Sequence, residues 1–245
     1  MNHKIIEVRN LYAKYGERTI LDNISVDFFQ NEVTVILGSS GGGKTTFLKN
    51  ITRLVEPFSG SVKIFGQEIT NMDEDDFNKI LKRTGMLFQN GALLNSLTIF
   101  DNIGIPLEQH TNLSSSLREK IIQKKINLVQ LSHAIHLLPS ELSGGMKKRA
   151  ALARAIVLDP EIVFFDEPSA GLDPITSLYL DQLIIELKNK LGLTLIIVTH
   201  ELASINRIAD RILYLHQGKL IFHGTLPEIK NTKHPEIVKF FRAGG

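Results

Sequence analysis

Val33-Thr34-Val35-Ile36-Leu37-Gly38-Ser39-Ser40-Gly41-Gly42-Gly43-Lys44-Thr45-Thr46-Phe47-Leu48 is the stretch on which the fold turns. Residues 33–37 are a continuous apolar, β-branched run, the pattern of a strand buried on both faces of a parallel sheet. From Thr45 onward the apolar residues recur at helical spacing. Between them lie Gly, four residues, and Gly-Lys-Thr, so the order is strand, glycine-rich loop, helix. Glycines let successive backbone N–H groups turn inward as an anion nest, and the helix N-terminus adds a favourable dipole. In such a loop Lys44 reaches the outer phosphates of a nucleotide and the Thr45 hydroxyl ligates Mg²⁺. The alternative is a glycine-rich turn that binds nothing, and the flanking strand and helix weigh against it.

Further along, Ile162-Val163-Phe164-Phe165-Asp166-Glu167 sets two carboxylates at the C-terminal end of an apolar strand, where open α/β sheets bind ligands. Asp166 suits Mg²⁺, which keeps most of its waters and takes few protein oxygens. Glu167 suits the orientation and partial deprotonation of an attacking water. An acidic pair after a strand is on its own more often a helix-terminal charge, and the phosphate loop reverses that preference. Thr194-Leu195-Ile196-Ile197-Val198-Thr199-His200 is another buried strand, which sets His200 on the same sheet edge, within reach of a γ-phosphate. Considered singly, His200 reads as a surface or capping residue.

The rest of the chain is organised around these elements. KIIEVRN and TILDNISVDF, with alternating apolar positions, predict a small antiparallel sheet at the N-terminus. Between Asn90 and about Pro160 the spacing turns helical, in SSLREKIIQKKINLVQL and KKRAALARAIVL, which predicts an inserted helical lobe. RILYLHQGKLIFHG reads as a hairpin about Gln217 and Gly218, and Ile237, Val238, Phe240 and Phe241 as one apolar face of a short final helix. The return of apolar strands followed by helices predicts a parallel sheet built by right-handed crossovers.

Length and composition exclude several classes. A chain of 245 residues suits one large α/β domain with a lobe inserted in it. The 28 Lys and Arg against 26 Asp and Glu leave a net charge of +2, too weak a field to draw the chain onto nucleic acid. Without cysteine there is neither disulfide framework nor thiolate metal site. No apolar run nears the roughly 18 residues needed to span a bilayer, so any membrane link is expected through a partner.

Glu141-Leu142-Ser143-Gly144-Gly145-Met146 opens the helix containing KKRAALARAI, and with it the sequence resembles the ATP-binding-cassette ATPases, whose signature is Leu-Ser-Gly-Gly. The resemblance runs over nearly the whole chain, with all motifs in the family's order. It implies an α/β P-loop NTPase fold: a RecA-like parallel-sheet core with an N-terminal antiparallel β subdomain, residues 1–90 and 160–245, and an inserted α-helical subdomain, 91–159, all within one domain, 1–245. It implies ATP and Mg²⁺ as ligands. The residues that contact nucleotide are then Tyr15, stacked on adenine, Gly38, Ser39, Ser40, Gly41, Gly42, Gly43, Lys44, Thr45 and Thr46. Tyr12 competes with Tyr15 for the stacking role. Gln89 matches the family residue that senses Mg²⁺ and contacts the permease, so that Thr45, Gln89 and Asp166 form the metal set. Glu167, His200, Gln89 and Lys44 form the catalytic set.

Ser143 and the N–H groups of Gly144 and Gly145 form a second anion site at a helix start. In the family it meets the γ-phosphate bound by the other subunit, and Asp173, in Ala170-Gly171-Leu172-Asp173, belongs to a loop that crosses the pair's interface. A homodimer with ATP between its halves is therefore implied. Met146 stands where many members carry Gln, which removes a side-chain amide from the mechanism and leaves the Ser and Gly contacts intact.

The segment from Phe88 to Leu107, with SGGMKKRAALARAI and FDEPSAGLDPI, is most similar to the subgroup serving intermembrane phospholipid transport in bacteria, the Mla-type or Mkl-like ATPases. That subgroup implies a permease, a lipid-binding protein of the mammalian-cell-entry (MCE) type, and a place on the cytoplasmic face of the inner membrane. Ala92, Leu93 and Leu94 are candidates for the groove that receives the permease, or else core residues. The rival readings are an ATPase of another transporter, importing a small solute or exporting, and a soluble cassette acting on ribosomes or DNA. The second usually has two cassettes or long coiled-coil insertions, neither of which is present here.

Overall fold

The structure is a computed structural model that describes residues 3–39 and 41–243, and its chain divides into two compact units, 1–80 with 194–245 and 81–193. In chain order the first unit begins with β1 (Lys4–Tyr15), β2 (Arg18–Phe29), β3 (Val33–Gly38), α1 (Lys44–Ile51), β4 (Ser59–Ile64), β5 (Gln67–Glu68) and α2 (Glu74–Leu81). The second holds β6 (Thr84–Leu87), α3 (Ile99–His110), α4 (Ser115–Leu128), α5 (Gly144–Ala155), β7 (Ile162–Asp166) and α6 (Pro174–Leu191). The chain then returns to the first unit with β8 (Thr194–Val198), α7 (Leu202–Ile208), β9 (Arg211–His216), β10 (Lys219–Thr225), α8 (Leu226–Lys230) and α9 (Pro235–Ala243).

The first unit contains the expected antiparallel sheet, in the order β2-β1-β4-β5. Its alternating burial is interrupted where β1 shifts register between Val8 and Leu11, and Asn10 at that shift has φ 47°. A register shift can set one residue in that left-handed conformation, which asparagine tolerates better than most. The other strands run β10-β9-β3-β8, with β3 parallel to both neighbours: Val35 pairs with Ile212 on one side and Ile197 on the other. Every residue of β3 is buried, as its unbroken apolar run requires. Gln217 at φ 48° and Gly218 at φ 76° close the β9–β10 hairpin, two left-handed residues suited to the right-handed twist of its strands. Phe28 and Phe47, both 0% exposed, stack at 6.3 Å and join the antiparallel sheet to α1. Burying such a ring is worth roughly 1.5–3 kcal/mol.

In the second unit β6 runs parallel to β7, Thr84 opposite Ile162 and Leu87 opposite Phe165. A Cβ on Gly85 would stand 2.2 Å from the Ala155 carbonyl oxygen, so this glycine sets how closely α5 lies on β6. Helix α3 opens with a capping box between Thr98 and Asp101, and α4 with Ser114. Helix α6 starts at Asp173 and stops at Gly192, whose φ of 67° is the left-handed ending favoured by glycine. The compact division groups β6 and β7 with the helices. The final helix is α9, where Ile237 is 1% exposed and Phe240 meets Tyr214 edge to face at 5.6 Å. Among the described residues no helix is long and apolar enough to cross a membrane.

Candidate functional site

Each unit holds its own share of the candidate residues. In the first, the buried strand β3 ends at Gly38, and the loop turns directly into α1. Gly38 has φ 149°, and a Cβ on it would lie 2.0 Å from the main-chain oxygen of Leu215 in β9. Backbone on backbone cannot give way, so Gly38→Ala is expected to lower stability by about 3 kcal/mol or more, among the larger single-residue effects, read as a fall in midpoint in urea denaturation. Gly43 is the residue before α1, at φ 97°, and offers no side chain to cap it. The first turn of α1 has no acidic residue either, which leaves its amide end polarised to receive an anion.

Lys44 folds over this loop, its Nζ donating to the carbonyls of Gly38 and Ser39 at 3.0 Å each. Gly42 N–H donates to the Ser39 carbonyl at 3.0 Å and tightens the turn. Thr45 is exposed at the helix start, and Thr46 half-buried behind it. Ser40 lies outside the described residues. Cation, amides and glycine backbone suit a polyphosphate, which needs many donors on a concave surface.

His200 follows β8, and the parallel pairing of β3 with β8 sets it at the sheet edge where the loop emerges. Its side chain is exposed. Tyr15 ends β1 and is 54% exposed, whereas Tyr12 is half-buried within the sheet, where its carbonyl accepts from the Phe58 N–H at 2.8 Å. Of the two rings, Tyr15 is the one open to a planar ligand. Sequence reasoning passed over His216, whose Nδ1 lies 3.4 Å from Ser39 Oγ.

In the second unit β7 delivers Asp166 and Glu167, with Asp166 Oδ1 and Glu167 Oε2 both shut off from solvent. Glu167 adopts φ 49°, a left-handed conformation that costs a side-chain-bearing residue roughly 1–3 kcal/mol and that recurs at functional sites. Ser143 is the N-cap of α5 and accepts from Met146 N–H at 3.3 Å, leaving the start of the helix exposed. Behind it, Cβ atoms built on Gly144 and Gly145 would meet Leu172 Cδ2 at 3.4 Å and Thr176 Cγ2 at 2.5 Å. The Ser-Gly-Gly segment and residues 170–176, which run into α6, are thus brought together. Asp173 uses its carboxylate to cap α6, accepting from the N–H groups of Ile175 and Thr176 at 3.1 and 3.0 Å. The Thr176 hydroxyl and these amides hold its pKa below the ordinary carboxylate value.

Gln89 is exposed just beyond β6, and the segment after it is fixed by residues that sequence reasoning missed. Asn102, 0% exposed, donates to the carbonyls of Leu94, Leu97 and Thr98 and accepts from Leu94 N–H at 2.7 Å. Arg154 donates to the carbonyls of Gly91 and Ala92, and Lys148 to that of Gln89. Burial pushes the Arg154 guanidinium below its ordinary pKa. Ala92 and Leu94 are exposed and Leu93 half-buried, as surface candidates for a partner would be. The signal for Lys148 was available: it lies three and four residues before Ala151 and Leu152, on the buried face of the helix.

Comparison with known proteins identifies the family. A family model described as ABC transporter matches residues 21–170. The intermembrane phospholipid transport system ATP-binding protein MlaF of Haemophilus influenzae is 41% identical over 242 residues, covering 99% of this chain and 92% of that protein. The probable ribonucleotide transport ATP-binding protein mkl of Mycobacterium leprae is 37% identical over 235 residues, 96% of this chain and 68% of that protein. Among solved structures, the dimeric post-hydrolysis state of the ATP-binding cassette MJ0796 bound to ADP and Pi superposes with a TM-score of 0.82 at 30% identity, covering 91% of this chain and 99% of that one.

Proposed function

The chain belongs to the ATP-binding-cassette ATPases of ABC transporters, and from that premise we propose that it powers phospholipid transport between bacterial membranes, working as an identical pair beneath a partner permease. The observation that carries the cargo is the 41% identity with MlaF over 99% of this chain and 92% of that protein. The mkl relative, named for ribonucleotide transport, matches at lower identity over 68% of its length and supports a second cargo less well.

In this reading Lys44 and the loop amides from Gly38 to Thr46, Ser40 included, bind the phosphates of ATP, and Tyr15 stacks on its base. Thr45, Asp166 and Gln89 offer oxygen donors only, the hard set that suits Mg²⁺. Bound there, the ion would neutralise charge on the phosphate oxygens. Glu167 orients the attacking water and takes its proton as the oxygen bonds to the γ-phosphorus, while the bond from that phosphorus to the β–γ bridging oxygen breaks and ADP leaves with its electron pair. His200 donates a hydrogen bond to the γ-phosphate.

The exposed start of α5, with Ser143, Gly144 and Gly145, supports a role as an anion site for the nucleotide of the second copy, and Asp173 lies in the adjoining turn. ATP then holds the two copies together, and loss of phosphate removes the differential affinity and lets them part. Residues 1–245 act as one cassette, with 91–159 as its inserted helical part. The permease holds it at the cytoplasmic face of the inner membrane, with an MCE-type lipid-binding protein beyond.

Ser143→Arg is expected to leave ATP affinity of the single chain unchanged while lowering turnover at least about tenfold, since the bulky cation blocks a contact made only in the paired state. Nucleotide titration and phosphate release measure the two halves of that statement. The reading of cargo is tested by tagging the chain, solubilising host membranes in mild detergent and identifying copurifying subunits by mass spectrometry. A permease with an MCE-type carrier is the expected result. A different permease overturns the cargo, and ribosomal or DNA factors alone overturn transport.

A further inference from the structure

Basic side chains on a helix are by default solvated, and α5 carries Lys147, Lys148 and Arg149 in succession. Lys148 is the exception, 6% exposed. Its ammonium donates to the main-chain carbonyl of Gln89 and, at 3.2 Å, to that of Glu167. Further along the helix, Arg154 donates at 2.7 Å to each of the Gly91 and Ala92 carbonyls. Three of these four carbonyls belong to residues held in left-handed backbone: Gly91 at φ 72°, and Ala92 and Glu167, which carry side chains, each at φ 49°. Such conformations persist only where the surroundings over-determine them, and a charge-assisted bond to the carbonyl does that.

We propose that Lys148 is a positioning residue: its ammonium fixes the backbone from which the Glu167 carboxylate projects and ties that backbone to the segment beginning at Gln89. The inference rests on the reading that Glu167 activates the water. A lysine ammonium carries three donors on one atom, so a single group can hold two carbonyls that belong to different segments. Removing it takes that donor from the part-buried bonds to the Gln89 and Glu167 carbonyls, leaves the Glu167 oxygen with the Ala170 N–H at 3.2 Å, and frees Glu167 to relax from φ 49°. A shift of about 1 Å in a catalytic group lowers turnover by about 10²-fold while the distant contacts that bind substrate are unaffected. Through the same ammonium, displacement of Gln89 by a partner would reach Glu167 without passing through the nucleotide.

The test uses the full chain with the membrane subunits that copurify with it. Lys148→Met is expected to lower kcat by about 10²-fold with KM for ATP within about threefold of wild type, and Lys148→Arg to restore kcat to within about threefold. Lys148→Gln keeps an amide donor and, should Lys148→Met fail to fold, is expected to show an intermediate kcat at unchanged KM. Wild-type kcat in Lys148→Met or Lys148→Gln overturns the proposal. So does a joint loss of turnover and nucleotide affinity that arginine does not rescue, which would mark a purely structural lysine. Glu167→Gln measured alongside separates the two readings. Wild-type turnover in Glu167→Gln overturns the catalytic role on which the proposal stands, whereas inert Glu167→Gln beside wild-type Lys148→Met overturns the proposal alone.

Discussion

Glu167→Gln is expected to bind ATP as tightly as the unsubstituted chain and to turn over roughly 10²- to 10⁴-fold more slowly, the range a positioned general base contributes. The amide keeps the size and planarity of the carboxylate, so the end of β7 and the left-handed backbone at residue 167 are undisturbed. What it loses is the capacity to take a proton from water as the oxygen closes on phosphorus. The nucleotide should then stay intact, and the closed pair should accumulate. Phosphate release gives the rate, fluorescent nucleotide binding gives the affinity, and size-exclusion chromatography with ATP and Mg²⁺ reports the pair. Unchanged phosphate release would remove Glu167 from the chemistry.

Lys44→Ala is expected to act at the other stage, weakening ATP affinity and hydrolysis together. The ammonium stands 3.0 Å from the Gly38 and Ser39 carbonyls, over the loop that the phosphates would enter. A hydrogen bond to a charged group contributes about 1.5–3 kcal/mol, which corresponds to about 10- to 100-fold in dissociation constant. Turnover at saturating ATP should fall as well, because the same charge faces the oxygens on which negative charge builds as the bond breaks. Isothermal titration with ATP and with ADP separates the two contributions. Normal affinity for both nucleotides would contradict the assignment.

The two substitutions differ in what made them legible. Lys44 is read from local spacing alone, because strand, glycines and lysine lie within a dozen residues and their geometry follows from backbone stereochemistry. Glu167 needs the strand before it and the phosphate loop far behind it in sequence to acquire a meaning. The Leu-Ser-Gly-Gly segment is legible as an N-capped helix start, and its pairing with the start of α6 depends on Gly145 lying against Thr176. His216 beside Ser39 is not legible, since 177 residues separate them and no pattern in either segment announces the other.

The sequence by itself determined the parallel strands, the antiparallel sheet, the phosphate loop, the hairpin at Gln217 and the helix that follows Ser143. Each of these is written in a period of apolar residues or a short motif, and a period is a local property. Tertiary structure alone decided that the aromatic open to a ligand is Tyr15, with Tyr12 drawn into the sheet. It also decided that Asn102, Lys148 and Arg154 spend donors on backbone carbonyls between residues 89 and 98, and Lys148 on that of Glu167 as well. Those residues look like ordinary polar positions on helices because the groups they satisfy are main-chain carbonyls, which every residue possesses and no sequence distinguishes. Only the path of the chain determines which carbonyls are left without a partner and which side chain reaches them.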